Sequence, residues 1–393
     1  MAQQRQIKQM GAIYQEAQVT IIAAAGTDAT YGLPGFTHAL KSSCSCTDSH
    51  VVRRLHNKGS AVQSIKDSVW YTRGWTYQEG FLSRRRMYFT DVGVLYVCDE
   101  DRHSAWLSKI SASLRNTSER PSFHDDEQVM REYTRRQLTH DYDALNAIIG
   151  ALETQSDHHI WGVKTSQGRW GPYVFLHWRH SFPVRRRKAF PSWSPLGWCG
   201  QVEYAKSRPE LSQFCQLEAW RDKTYKPLPW EPKNLGLKSY PSPTVEEDSK
   251  RLRLTTPIVT LEFVHIEGTH RNGVYAKVPY SPTLDIFVLP YWDIDCVAEL
   301  GLEGGSAKLP CIVVMSERLG IFPKFENEMQ ILILRVHDRY YERIGCLSVD
   351  EDSERMFAED KKGLELMHWL HSPEHGDGRY WLRDGVRTTF LLG

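Results

Sequence analysis

Long apolar runs are missing from this chain. No stretch approaches the roughly 20 residues that a membrane-spanning helix needs. The longest candidates, Val19–Ala25 and Leu284–Leu289, have the length of buried strands. The polar start Met1-Ala2-Gln3-Gln4-Arg5-Gln6 is not followed by the apolar segment of a secretory signal, so the expected location is cytoplasmic. A dense cysteine framework is missing too. Cys44, Cys46, Cys98, Cys199, Cys215, Cys296, Cys311 and Cys346 are spread over 393 residues, which fits reduced thiols and not a small disulfide scaffold. Neither sign of charge is in excess. The net charge of +1 supplies no field to recruit nucleic acid or anionic membrane, and neither is expected as a partner. The sequence has no G-x-G-x-x-G or G-x-x-x-x-G-K-[ST] phosphate loop, no G-x-S-x-G elbow, no internal repeat and no low-complexity tract.

What is present suits a globular protein of two or three domains. Hydrophobic residues make up 41% and charged residues 25%, and 13 tryptophans offer large areas for burial. Ile7, Met10, Ile13, Tyr14 and Ala17 recur at helical spacing, so residues 4–17 read as a helix. Val19–Ala25 is β-branched and apolar on both faces, which suits a central strand covered on either side. Residues 26–66 read as a long loop and residues 68–84 as helical. Arg86–Thr90 and Val92–Cys98 read as a hairpin. A helical region follows at 126–155 with a break near Thr139–His140, and residues 160–204 are dense in Trp and Pro. Residues 221–249 read as a linker or mobile loop. Beyond 250 the expected strands are Arg251–Thr255, Val259–Val264, Leu284–Leu289, Cys311–Met315, Met329–Val336 and Arg343–Val349.

Three blocks carry a resemblance. The first is Ile13-Tyr14-Gln15-Glu16-Ala17 running into Val19–Ala25, then Gly32-Leu33. The second is Thr72-Arg73-Gly74-Trp75-Thr76-Tyr77-Gln78-Glu79-Gly80-Phe81-Leu82-Ser83, followed by Arg86-Met87-Tyr88-Phe89. The third comprises Arg131-Glu132-Tyr133, Asp143-Ala144-Leu145-Asn146-Ala147, Phe190-Pro191-Ser192-Trp193-Ser194 and Gly197-Trp198. Together they resemble fungal heterokaryon-incompatibility (HET) domain proteins over roughly residues 5–205. The resemblance implies the C-terminal half of a HET domain at 1–100, and a helical, Trp-rich region at 101–205. A linker at 206–250 and a β-rich region at 251–393 complete the expected organisation. The implied fold class is α/β, an incomplete TIR-like (flavodoxin-like) sheet domain followed by a helical and then a β-rich part. The family's opening strand–helix–strand units have no counterpart before Met1. On that reading the chain is N-terminally truncated and inert as written, with Val19–Ala25 lacking a strand neighbour.

The same resemblance implies a role in fungal nonself recognition and programmed cell death, through TIR-like cleavage of NAD in a complete domain. Glu79 is then the catalytic carboxylate, with Trp75 and Arg73 as substrate contacts. The chemistry calls for an anion, because breaking the ribose–nicotinamide bond builds oxocarbenium charge on the sugar. NAD is a substrate here, and neither a cofactor nor a metal is required. Trp75 and Glu79 are four residues apart, one turn of a helix. The plain alternative is an ion pair between Glu79 and Arg73, Arg84, Arg85 or Arg86. A non-enzymatic scaffold that self-associates or binds partner proteins, and an inactive truncated gene product, are the competing readings.

Other signals are read more simply. His38, Cys44, Cys46, His50 and His56 match no common zinc spacing. Arg185-Arg186-Arg187-Lys188 reads as a solvated run. Asp143 is expected to cap or face the start of a helix, and Trp193, Trp198 and Tyr204 to pack.

Overall fold

The computed structural model describes residues 2–28, 30–37, 58–99, 125–155, 159–164, 176, 178–204, 216–221, 223–227, 250–266, 273–281, 284–302, 305–316, 329–349, 356–358 and 386–393. Two compact units divide the chain, Met1–Asp157 and His158–Gly393. The helices within 125–155 therefore belong to the first unit, and 159–204 to the second.

In the first unit, helix α1 (Ala2–Glu16) leads into strand β1 (Thr20–Ala23). Helices α2 (Lys58–Lys66), α3 (Val69–Thr72) and α4 (Thr76–Leu82) precede the hairpin of β2 (Arg85–Thr90) and β3 (Gly93–Cys98). Helices α5 (Asp125–Thr134) and α6 (Ile149–Gln155) close it, with a 3-10 turn at Asp141–Asp143 between them. The sheet order is β1-β2-β3, with β1 parallel to β2 and β2 antiparallel to β3. Ile22, Tyr88 and Leu95 align across its inner face and pack with Ile65 of α2 and Tyr71 of α3.

Three expectations change here. Val19–Ala25 has a strand neighbour, β2, because the following hairpin folds beside it. It is nevertheless an edge strand and not a central one. Ile21 is 59% exposed, Tyr96 on the same outer face is 45% exposed, and no strand pairs with the other edge of β1 among the described residues. The loop expected at 26–66 contains helix α2, where Ala61 and Ile65 are fully buried one turn apart. The cluster of His38, Cys44, Cys46, His50 and His56 lies outside the described residues. The helical stretch expected at 68–84 is two short helices, α3 and α4, interrupted at Arg73–Trp75.

The second unit is built on one long strand. Strands β4 (Gln216–Arg221) and β5 (Thr224–Pro227) form a hairpin at the start of the expected linker, so that part is ordered sheet. Strand β6 (Leu252–His265) merges the two strands expected at 251–255 and 259–264. Its Pro257 lacks a ladder donor, yet the strand continues. On one side of β6, pairing with β4 ends at Thr255 and pairing with β10 (Ser306–Ser316) begins at Ile258. Pro257 lies in that gap. Strands β7 (Val274–Ser281), β8 (Leu284–Val288) and β9 (Tyr291–Trp292) follow, then helix α7 (Cys296–Leu300) and β10. Strands β11 (Met329–Val336), β12 (Tyr341–Val349), β13 (Met356–Ala358) and β14 (Val386–Leu392) come after it. β6 pairs β10, β10 pairs β11, and β11 pairs β12. β14 then bridges β12 back to β6, so five strands close on themselves as a small barrel. Ile331 through Leu334 of β11 are fully buried on both faces.

The Arg185–Lys188 run is not a uniformly solvated face. Arg186 donates to the carbonyls of Gly197 and Phe190 at 2.9 and 2.8 Å and to Glu342 at 3.2 Å. Arg187 is buried and donates to the carbonyls of Leu196 and Trp198. Trp193 and Trp198 do pack, fully buried, with their indoles donating to the Lys250 and Ser192 carbonyls.

Candidate functional site

Helix α4 carries Glu79, with Trp75 at its N-cap and Arg73 at the end of α3, and the segments around them explain where they point. Ser68 caps α3, its Oγ accepting from Tyr71 N at 3.2 Å. α3 ends at Arg73, and Trp75 takes the N-cap position of α4. The break is held from outside. Gly74 N donates to the Gln137 carbonyl at 2.7 Å, and Gln137 N donates to the Thr72 carbonyl at 2.7 Å. Arg136 is buried with its guanidinium 4.6 Å from the Tyr71 ring and 5.0 Å from the Tyr77 ring. It donates from Nη1 to the Arg73 carbonyl and to Thr76 Oγ1, both at 3.2 Å. Burial lowers the Arg136 pKa, partly offset by the two tyrosines.

Glu79 is half-buried. Trp70 Nε1 donates to Glu79 Oε2 at 2.9 Å, and the Tyr14 hydroxyl of α1 is near enough to feel the Glu79 charge. Among the described side chains no arginine or lysine pairs with Glu79. Arg86, a partner anticipated from sequence, is instead fully buried, donating to the Gly80 carbonyl at 2.7 Å and pairing with Asp99. Burial, then the negative charge of Glu79 and its hydrogen bond, push the Tyr14 hydroxyl up to about 12. Tyr14 therefore keeps its proton and stays a donor through the physiological range. Among the described side chains Glu79 is thus an anion held by a neutral indole donor and not neutralised by a cation.

Trp75 and Arg73 do not join that cluster. The Trp75 indole donates to Asp143 Oδ2 at 3.3 Å, and the Arg73 side chain is exposed. Sequence reading thus places Glu79 and Trp75 on one helix turn, while the fold assigns them different partners. Trp70, which holds the carboxylate, and Tyr14 close to it went unread as site residues. Tyr14 stands in the first quoted block and Trp70 just before the second, but only packing of α1, α3 and α4 joins them. The second and third blocks also meet in space. Gln78 donates to the Asn146 carbonyl at 2.9 Å and accepts from Gly150 N at 3.0 Å. Among the described residues no group of three or more His, Cys, Asp or Glu side chains is arranged to hold a metal, and no helix is long and apolar enough to cross a membrane.

The first unit is a mixed α/β domain in which a helix presents a carboxylate held by an indole. The family model of heterokaryon incompatibility proteins (HET) matches residues 1–79, a span that includes β1, Arg73, Trp75 and Glu79. That match points to heterokaryon incompatibility as the functional class. No curated protein and no solved structure matches the chain.

Proposed function

We propose that the chain acts in nonself recognition leading to cell death, and that Glu79 serves it by promoting cleavage of the N-glycosidic bond of NAD. The observation that carries this reading is the state of the Glu79 carboxylate: half-buried, held by the neutral Trp70 indole with the Tyr14 phenol nearby, and without a cation among the described side chains. An anion already paired with arginine would have little field left for a substrate. This one keeps its charge to stabilise a ribosyl oxocarbenium ion as nicotinamide departs with the bonding electron pair. Water then adds to the ribose carbon, releasing a proton and giving ADP-ribose. Trp75 and Arg73 border the start of the same helix and are proposed to contact the dinucleotide. The test is cellular NAD after expression of the protein, beside Glu79→Gln. A fall in NAD with the first and none with the second is expected. Unchanged NAD with both proteins folded overturns the enzymatic reading.

A second reading, a binding module that self-associates or captures partner proteins, is favoured by the outer face of the sheet. Ile21 of β1 and Val94 and Tyr96 of β3 are exposed there, on the two strands that flank β2. Concentration-dependent mass in solution, lost in Ile21→Lys, would support it.

A further inference from the structure

We infer that Trp70 and Tyr14 are positioning residues for Glu79: one indole N–H and one phenolic O–H, brought from two other helices, fix the direction of the carboxylate without neutralising it. This rests on the proposed role of Glu79, which it deepens. Three features make Trp70 an aimed donor. Its ring meets Tyr88 of β2 edge-on at 5.6 Å between centroids. Its carbonyl accepts from Thr76 Oγ1, which ties the end of α3 to the start of α4. Its far edge lies against Gly80, where an added Cβ would sit 2.9 Å from Trp70 Cη2. A ring held on its face, backbone and edge can hardly rotate away from Glu79 Oε2, 2.9 Å off its nitrogen.

Tyr14 approaches from α1 and is half-buried. A protonated phenol contributes hydrogen bonding without charge, so the carboxylate gains orientation and keeps its field. A lysine or arginine here would orient equally well and cancel the charge that oxocarbenium stabilisation uses. The clamp therefore suits an electrostatic role and is more than a tie between helices, which an ion pair would also provide.

The experiment has two arms on the full chain. The first follows the Trp70 indole proton in tryptophan-labelled protein by NMR, assigned by its loss in Trp70→Phe. An upfield move of that proton in Glu79→Gln is expected, because the charged acceptor is gone. An indole proton unchanged in Glu79→Gln overturns the inference, whatever happens to NAD. The second arm measures NAD turnover. Trp70→Phe and Tyr14→Phe are each expected to lower kcat at least about tenfold with KM little changed. Folded variants with wild-type kcat overturn the inference. If Trp70→Phe fails to fold, Gly80→Ala serves in its place, since its methyl displaces the ring and leaves every donor present. Absence of NAD turnover in the folded wild type sinks the enzymatic reading alone, while the spectral arm still judges the clamp.

Discussion

Asp293 sits fully buried beside Arg343, which donates from Nε to its Oδ2 at 3.0 Å, and beside His180, whose Nδ1 lies 2.8 Å from its Oδ1. Arg343 also donates to the Leu176 carbonyl at 3.0 Å, and its guanidinium carbon lies 3.4 Å from the Trp178 ring centroid. Burial alone pushes the Asp293 carboxyl up, but the Arg343 charge and the His180 bond outweigh it and hold it below the usual range. His180 Nδ1 therefore donates, and its Nε2 is buried without a hydrogen-bond partner. Asp293→Asn leaves a buried guanidinium uncompensated and should cost about 3–5 kcal/mol at neutral pH, read as a lower denaturant midpoint. The pH sign follows from the depressed carboxyl. Its stabilisation is present above the unfolded value of about 3.9 and is lost as pH falls toward the folded value. Wild type should thus weaken below about pH 4, and Asp293→Asn should weaken less over that interval.

The cysteines make a second prediction. Burial, with the charge of Asp295 added, pushes the Cys296 thiol up to about 12, and burial raises Cys311 as well. Since the thiolate is the nucleophile, iodoacetamide at pH 8 should leave both unmodified in the native protein and alkylate both after denaturation, read by mass spectrometry.

Among the elements, the crossing of α1 and α6 is tight enough to dictate residue choice. A Cβ on Gly150 would lie 2.4 Å from Gln78 Oε1 and 3.0 Å from the Gly11 Cα. Gly150→Ala gains about 1 kcal/mol of helix propensity, but overpacking of ~1–3 kcal/mol and the displaced Gln78 bond oppose it. A net loss of thermal stability is expected, with Gln78→Ala less stable as well. Strand β1 poses the opposite problem, an edge without lysine, proline or bulge to blunt it. Its apolar composition was legible from sequence. Its position at the rim was not, because a run of apolar residues fits a central strand and a rim strand alike. Ile21→Lys should reduce light scattering at high protein concentration while leaving the fold intact.

Across the whole molecule, β14 closes the barrel of the second unit. It pairs with β6 from Leu252 through Ile258 and meets β12 at Tyr341. Phe390 and Leu392 are buried along it. Deleting residues 386–393 opens two strand edges at once, so the truncated protein is expected to lose its cooperative transition or to aggregate. A soluble truncation that melts like wild type would refute the closure.

Local pattern carried the helix at the start, the β2–β3 hairpin, the strands at 284–288 and 329–336, the second half of 306–316 and most of 341–349, because periodicity and turn residues act between near neighbours. It also carried the HET likeness, which the family model matches over residues 1–79, and it marked Glu79 as a candidate. Which side chains hold that carboxylate was decided only when α1, α3 and α4 came together. Hydrogen bonds between groups remote in the chain depend on packing distance, and no spacing in a linear sequence encodes that distance.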